Sequence, residues 1–109
     1  MATTNALDTG TAGGLLAFCD HLEDRDHASC GVIHPWRYAI TRVFTLMEGD
    51  DFASVDVLSL DVDEYMRRFA SVSCGADEPE KLAKYAPRLP QAIEAYRGYL
   101  ADPTGWRPA

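Results

Sequence analysis

The segment from Glu80 to Ala101, EKLAKYAPRLPQAIEAYRGYLA, carries the longest hydrophobic period in the chain. Its large apolar side chains recur at steps of 3, 4, 4, 3 and 4 residues, at Leu82, Tyr85, Leu89, Ile93, Tyr96 and Leu100. This spacing places them on one face of an α-helix. Pro87 and Pro90 interrupt the pattern, because each proline removes a backbone donor and clashes with the preceding turn. We therefore predict two helical pieces, with Pro90 opening the second.

Two segments nearer the N-terminus show the same helical period. Their apolar residues recur every three or four positions, at Leu15, Phe18, Cys19 and Leu22 in the first segment and at Trp36, Ile40, Val43 and Met47 in the second. Each set forms one stripe of an amphipathic helix. Pro35 suits the first turn of the second helix, where a missing N–H costs nothing. Gly49 is expected to end that helix.

The stretch FASVDVLSL, residues 52–60, contains β-branched residues but has no second predicted strand to pair with. A lone strand cannot satisfy its backbone, so we predict a connector. Asp61 is then expected to cap a third helix, and Glu64 completes a capping-box-like pair. The buried stripe of this helix is predicted to be Val62, Tyr65, Met66 and Phe69.

These elements predict an all-α fold, a compact bundle of four to five helices joined by short loops. The small, polar residues at the start of the chain lack the charge pattern of a signal peptide, and we expect a flexible leader at residues 1–13. A single helical domain is predicted at residues 14–102. The prolines and glycine beyond it cannot continue a helix, so residues 103–109 are predicted to be a tail.

Charge divides the chain into two unequal parts. The first 80 residues carry 5 basic and 15 acidic residues, a balance of −10, whereas residues 81–109 carry 5 basic and 2 acidic residues, a balance of +3. The net charge of −7 repels a phosphate backbone, which disfavours nucleic-acid binding as a class. No apolar run reaches the roughly 18 residues that cross a membrane. Three cysteines without an export signal indicate reduced thiols and a cytoplasmic location.

Residues 18–34, FCDHLEDRDHASCGVIH, hold all three histidines and two of the three cysteines. A closed zinc site needs four ligands that converge on the ion. Cys19 and His21 are two residues apart on a predicted helix, so they point roughly 200° apart. The other candidates are His27, Cys30 and His34. They would share a face only if this region were helical, whereas Gly31 and Pro35 predict a loop followed by the start of the next helix. We therefore expect Cys19 to be a core residue, and we expect no metal or other cofactor.

The sequence contains no recognisable catalytic motif. It has no G-x-S-x-G elbow, no cysteine-protease signature and no glycine-rich phosphate loop. Two of its acidic clusters, at residues 61–64 and 77–80, lie where helices are predicted to begin, and acids there favour the helix dipole. We therefore predict that the protein is not an enzyme, and no small-molecule substrate is evident.

The basic residues provide the candidate contact surface. Lys81, Lys84 and Arg88 are spaced i, i+3, i+7, so one helix face presents three positive charges. Arg37 and Arg42 flank the apolar stripe of the second helix. A solvated face is the ordinary explanation of such residues. The functional alternative is a face that contacts phosphates or an acidic partner.

Two stretches, VDVLSLDVDEYMRRFA (residues 55–70) and LAKYAPRLPQAIEAYRGYL (residues 82–100), resemble the N-terminal core-binding (SAM-like) domain of tyrosine recombinases and phage integrases. The resemblance implies a SAM-like bundle that clamps DNA with its second and last helices. It assigns the DNA contacts to Arg37, Arg42, Lys81, Lys84 and Arg88. This chain differs from that family in its acidic charge and in the Glu-Pro-Glu at residues 78–80, where the family often has a small hydroxylated cap. These 109 residues also contain no Arg/His/Tyr catalytic domain.

Two functional hypotheses follow. The first is a non-enzymatic helical interaction module that acts by self-association or by docking a protein partner. It is supported by the acidic surface and by aromatic residues in excess of a small core, namely Trp36, Tyr38, Phe52, Tyr99 and Trp106. The alternative is a DNA-binding module that resembles an integrase core-binding domain without its catalytic domain. Neither hypothesis involves a membrane.

Overall fold

A computed structural model describes residue 7 and residues 9–24, 30–75, 78–103 and 105. Five α-helices lie in these ranges: α1 (Ala12–Asp24), α2 (Cys30–Glu48), α3 (Val62–Val72), α4 (Pro79–Tyr85) and α5 (Arg88–Ala101). The radius of gyration is 13.8 Å, close to the roughly 13 Å expected of a folded chain of this length. The predicted all-α class and the compact bundle of four to five helices are confirmed. The SAM-like topology stays a prediction.

Helix α2 is the centre of the bundle, because each of the other four helices packs against it. The predicted stripe of α1 is fully buried, and so are Ile40 and Val43 on α2. The large residues that complete the core come from α1, α2, α4 and α5; they are Leu15, Phe18, Leu22, Ile33, Phe44, Leu82, Leu89, Ile93 and Tyr96. Burial of each such side chain contributes about 1.5–3 kcal/mol, which is the main force that holds the helices together.

Helix α2 begins earlier than predicted. It starts at Cys30, so Pro35 lies inside the helix and not in its first turn. An interior proline costs about 3 kcal/mol. The added N-terminal turn carries Ile33, which is fully buried, and burial of that side chain offsets much of the cost. Burial of Ile33 in the core therefore outweighs the tendency of Pro35 to lie in the first turn of a helix.

The predicted break in the C-terminal segment is confirmed, at Ala86 and Pro87. Helix α5 then begins at Arg88, two residues before the predicted start at Pro90. Pro90 is the third residue of α5, where the N–H has no partner within the helix, so the proline is tolerated there. Ala86 and Pro87 keep dihedral angles in the helical region, so the backbone follows a helical path across the break.

The last residues of the predicted leader at 1–13 make backbone contacts with the bundle. Helix α1 begins at Ala12, whose N–H donates to the Val55 carbonyl at 2.9 Å. The Val57 N–H donates to the Gly10 carbonyl at 3.0 Å. The connector at residues 52–60 therefore has the backbone partner that the sequence did not reveal. Residues 1–6 and 8 of the leader lie outside the described part of the chain.

A buried tyrosine fixes this N-terminal segment to α5. The Tyr96 hydroxyl accepts a hydrogen bond from the Gly10 N–H at 3.0 Å and donates one to the Leu7 carbonyl at 2.7 Å. Gly10 has φ +71°, a conformation that side chains with a Cβ rarely adopt. Leu58 also packs over it, so that an added Cβ would lie 2.6 Å from the Leu58 Cδ1. The glycine is thus needed for both its conformation and its size.

The predicted start of α3 is confirmed. The Asp61 carboxylate accepts from the Glu64 N–H at 3.2 Å, while the Glu64 side chain pairs with Arg67 instead of returning to the cap. The Tyr65 hydroxyl donates to Glu48 Oε2 at 2.8 Å and ties the start of α3 to the end of α2. Burial, and then this hydrogen bond, raises the pKa of Tyr65. None of the helices in the described ranges is both long and apolar enough to cross a membrane.

Candidate docking surface

Of the cysteines and histidines in residues 18–34, the structure describes the side chains of Cys19, His21 and His34, and these three differ in their surroundings. Cys19 is fully buried in the core, as predicted, and burial raises the pKa of its thiol to about 12. The His21 ring packs against Tyr99, with the ring centroids 5.4 Å apart, and His34 is exposed. His27 lies outside the described residues. Within the described residues, no three His, Cys, Asp or Glu side chains are placed to hold a metal ion.

Arg37 pairs with two carboxylates of α1, and its predicted role as a contact residue stays a prediction. Its Nη2 lies 2.6 Å from Asp20 Oδ1 and 3.0 Å from Glu23 Oε1, and its Nη1 lies 3.4 Å from Glu23 Oε2. The hydrogen bond to Glu23 is the main cause that raises the pKa of Arg37 further. Two carboxylates of α1 therefore neutralise this guanidinium and link α1 to α2. A phosphate or an acidic partner would have to displace them.

Arg42 is half-buried on α2 and follows Tyr38 by four residues, so the two side chains lie on the same face of that helix. It has no carboxylate within ion-pair distance in the described part of the chain. Arg42 therefore stays a candidate contact residue at the edge of the surface that Tyr38 helps to form.

Two tyrosines and two lysines contact one another, and an exposed arginine follows them at the start of α5. We call these five residues the cationic tyrosine face: Tyr38, Lys81, Lys84, Tyr85 and Arg88. The rings of Tyr38 and Tyr85 meet edge to face, with centroids 5.2 Å apart. The Lys81 Nζ lies 4.8 Å from the centroid of Tyr38, and the Lys84 Nζ lies 5.3 Å from that of Tyr85. Each such contact is worth about 0.5–1 kcal/mol at an exposed site, enough to bias where the ammonium groups lie.

The packing of α4 explains why these residues meet. Leu82 is fully buried in the core, so the helix brings Lys81 and Tyr85 beside Tyr38 of α2, and both lysines remain exposed. Because the chain stays nearly helical through Ala86 and Pro87, the basic row continues onto α5 at Arg88. All three predicted cations are exposed along this path.

The cations of the face form no ion pair within the described part of the chain. Lys81, Lys84 and Arg88 have no carboxylate within ion-pair distance among the residues described, in contrast to Arg37 and Arg67. An open cleft of about 340 Å³ adjoins Lys81 and is bordered by residues 78–80, which include Glu78 and Glu80. The face is therefore a positive strip with an acidic border in a chain of net charge −7.

Sequence reasoning missed the part that two residues play. Tyr85 was assigned to a buried stripe, but it is half-buried and forms half of the tyrosine pair. Arg97 was not singled out, yet its Nε donates to the Val57 carbonyl at 2.9 Å and its Nη2 to the Leu60 carbonyl at 2.7 Å, which fixes the connector to α5. Neither role has a local sequence signal, because both depend on segments distant in the chain.

The aromatic residues expected to favour contact differ in their surroundings. Phe52 stacks on Phe44 with centroids 5.8 Å apart, and Tyr99 packs on Phe18 at 5.1 Å, so both rings extend the core. Trp36, which like them is half-buried, also packs against the core, and Trp106 lies outside the described residues. Of this predicted set, Tyr38 is the residue that joins the cationic tyrosine face.

Comparison with known proteins gives no relative: no protein-family model, no curated protein and no solved structure matches this chain. The resemblance to integrase core-binding domains therefore stays a prediction from the residue pattern.

Proposed function

We propose that this chain is a non-enzymatic helical interaction module that docks a protein partner on the cationic tyrosine face. The observation that carries the proposal is the position of Lys81 and Lys84 over a pair of tyrosine rings, without a carboxylate partner among the described residues. Tyrosine and arginine are enriched among the anchor residues of protein interfaces, so Tyr38, Tyr85 and Arg88 are residue types that such interfaces use.

A protein partner fits the electrostatics better than DNA does. An integrase-like clamp needs cations from the second helix as well as the last, and Arg37 on α2 is already held by Asp20 and Glu23. The net charge of −7 opposes a phosphate backbone as well. It also opposes association between identical copies, so we favour a different protein over self-association.

The non-enzymatic part of the proposal is supported by the roles of the groups that could do chemistry. The Cys19 thiol is buried, and its raised pKa disfavours the reactive thiolate. Asp61 caps a helix, Glu48 accepts from Tyr65, and the Asp56 carboxylate accepts from the N–H groups of Leu58 and Ser59. These groups have structural functions that account for their presence.

The first experiment is sedimentation velocity on the purified protein at low and moderate salt, alone and with a short labelled duplex. If the protein and the duplex sediment separately at both salt concentrations, the proposal is supported. Co-sedimentation with DNA that is lost as salt rises, and lost in Lys81→Gln/Lys84→Gln, would instead establish the DNA-binding alternative.

The second experiment locates the site. A co-purifying protein is identified, produced in pure form and titrated against wild type, Lys81→Gln/Lys84→Gln, and the matched control Arg67→Gln/Arg68→Gln, whose residues lie on α3. Loss of affinity in the α4 variant alone supports docking on the cationic tyrosine face. Equal affinity for all three proteins would place the docking site elsewhere and overturn the proposal.

A further inference from the structure

Resting on that proposed function, we infer that the partner presents an amphipathic helix with acidic side chains at i, i+3 or i+4, and i+7. The inference names the chemistry and the shape of the segment that the cationic tyrosine face accepts.

The spacing of the cations is the first argument. Lys81, Lys84 and Arg88 are all exposed; the lysines lie on α4, and Arg88 follows after two turn residues that keep helical dihedral angles. At about 1.5 Å per residue, the row is roughly 10 Å long, with gaps of roughly 4.5 and 6 Å. Acidic residues on one face of a partner helix, at i, i+3 and i+7, are separated by the same distances along the helix axis. An extended strand places same-side residues roughly 6.6 Å apart, so it matches the row less well.

The acidic border of the face is the second argument. Glu78 and Glu80 lie beside Lys81 at the cleft. A duplex carries about one charge per 1.7 Å of axis, so its phosphates would meet these carboxylates as well as the lysines. Acidic side chains that project from a helix are separate point charges, which can reach the cations and avoid the border.

The tyrosines supply the third argument. Tyr38 and Tyr85 are half-buried, and their rings lie beneath the ammonium groups. A partner that brings a carboxylate to Lys81 or Lys84 therefore brings its neighbouring side chains onto aromatic surface. An apolar residue beside the acids buries that surface, which is why the fitting helix is amphipathic and not merely acidic.

A designed peptide tests the inference directly. The probe is a fluorescent alanine-based helix with three glutamates at i, i+3 and i+7 and one leucine beside them, and its control has glutamines in place of the glutamates. Fluorescence anisotropy at low salt measures both affinities. Three exposed ion pairs predict that wild type prefers the glutamate peptide by about tenfold. The preference is expected to disappear in Lys81→Gln/Lys84→Gln/Arg88→Gln and to persist in Arg67→Gln/Arg68→Gln.

A charge swap completes the test. Lys81→Glu/Lys84→Glu is expected to bind a lysine version of the peptide in preference to the glutamate version. Equal binding of the glutamate and glutamine peptides by wild type would overturn the acidic-helix inference. So would displacement of the glutamate peptide by equal concentrations of duplex DNA.

The two proposals can fail separately. If a purified partner needs Lys81 and Lys84 while the glutamate peptide does not bind, docking stands and the acidic helix is wrong. If the peptide binds but the purified partner ignores these lysines, the location proposed for docking is wrong.

Discussion

Replacement of Tyr96 by phenylalanine tests the attachment of the N-terminal segment to α5. The change removes one hydroxyl from a fully buried ring and leaves the ring contact with Phe18 in place. It removes the acceptor of the buried Gly10 N–H and the donor to the Leu7 carbonyl. An orphaned buried N–H costs about 1–3 kcal/mol, and the second hydrogen bond about 0.5–1.5 kcal/mol, so we expect a loss of about 2–4 kcal/mol in the free energy of unfolding.

The assay is urea denaturation followed by circular dichroism, with a thermal melt beside it. A loss of 2 kcal/mol corresponds to a decrease of at least about 8 °C in Tm for a domain of this size. Amide exchange at Gly10 and Val57 is expected to accelerate, because the N-terminal segment loses its attachment to α5.

The matched control is Tyr38→Phe, which removes the same atom from a different place. The Tyr38 hydroxyl is buried and has no hydrogen-bond partner among the described residues, so its removal is expected to change stability by less than about 0.5 kcal/mol or to raise it slightly. Equal effects of Tyr96→Phe and Tyr38→Phe would refute the reasoning, because they would show that the hydroxyl of Tyr96 does not hold the N-terminal segment.

The remaining predictions concern single contacts of the fold. Gly10→Ala is expected to cost about 1–2 kcal/mol by urea denaturation, because of the positive φ and the approach of Leu58, and an unchanged midpoint would contradict both. Asp61→Ala removes the cap that accepts from the Glu64 N–H and is expected to cost about 1 kcal/mol, whereas Asp61→Asn is expected to retain most of the stability. The pKa of Tyr65 is raised in the folded state, so its contribution to stability is fully present below about pH 10 and is lost as pH rises through the folded pKa. The free energy of unfolding is therefore expected to fall more steeply above pH 10 in wild type than in Tyr65→Phe, and parallel curves would show that Tyr65 titrates normally.

The accuracy of the sequence-based predictions varies with the range of the interaction involved. The stripe of α1, the cap at Asp61 and the break near Pro87 were predicted correctly, because each depends on residues within about four positions along the chain. The start of α2 was predicted wrongly, because burial of Ile33 against other helices outweighs the local effect of Pro35. The attachment of the segment that begins at residue 9 was not evident from the sequence, because its backbone partners, Val55 and Val57, are far away along the chain.

The same distinction between local and long-range interactions applies to the candidate surface. The spacing of Lys81, Lys84 and Arg88 on one helix face was evident from the sequence, because helical period alone determines it. That Lys81 lies over Tyr38 was not evident, because it requires α4 to pack beside α2. The position of Arg37 in the sequence did not indicate that two carboxylates of α1 pair with its guanidinium group.

The sequence by itself determined the helical class, the approximate helices and the three cations that share a face, since a helix repeats every 3.6 residues whatever surrounds it. Only the tertiary structure decided which charges on different helices are paired within the described part of the chain. That choice depends on which helix faces lie together, and burial of the core residues Leu82, Ile33 and Tyr96 sets those faces.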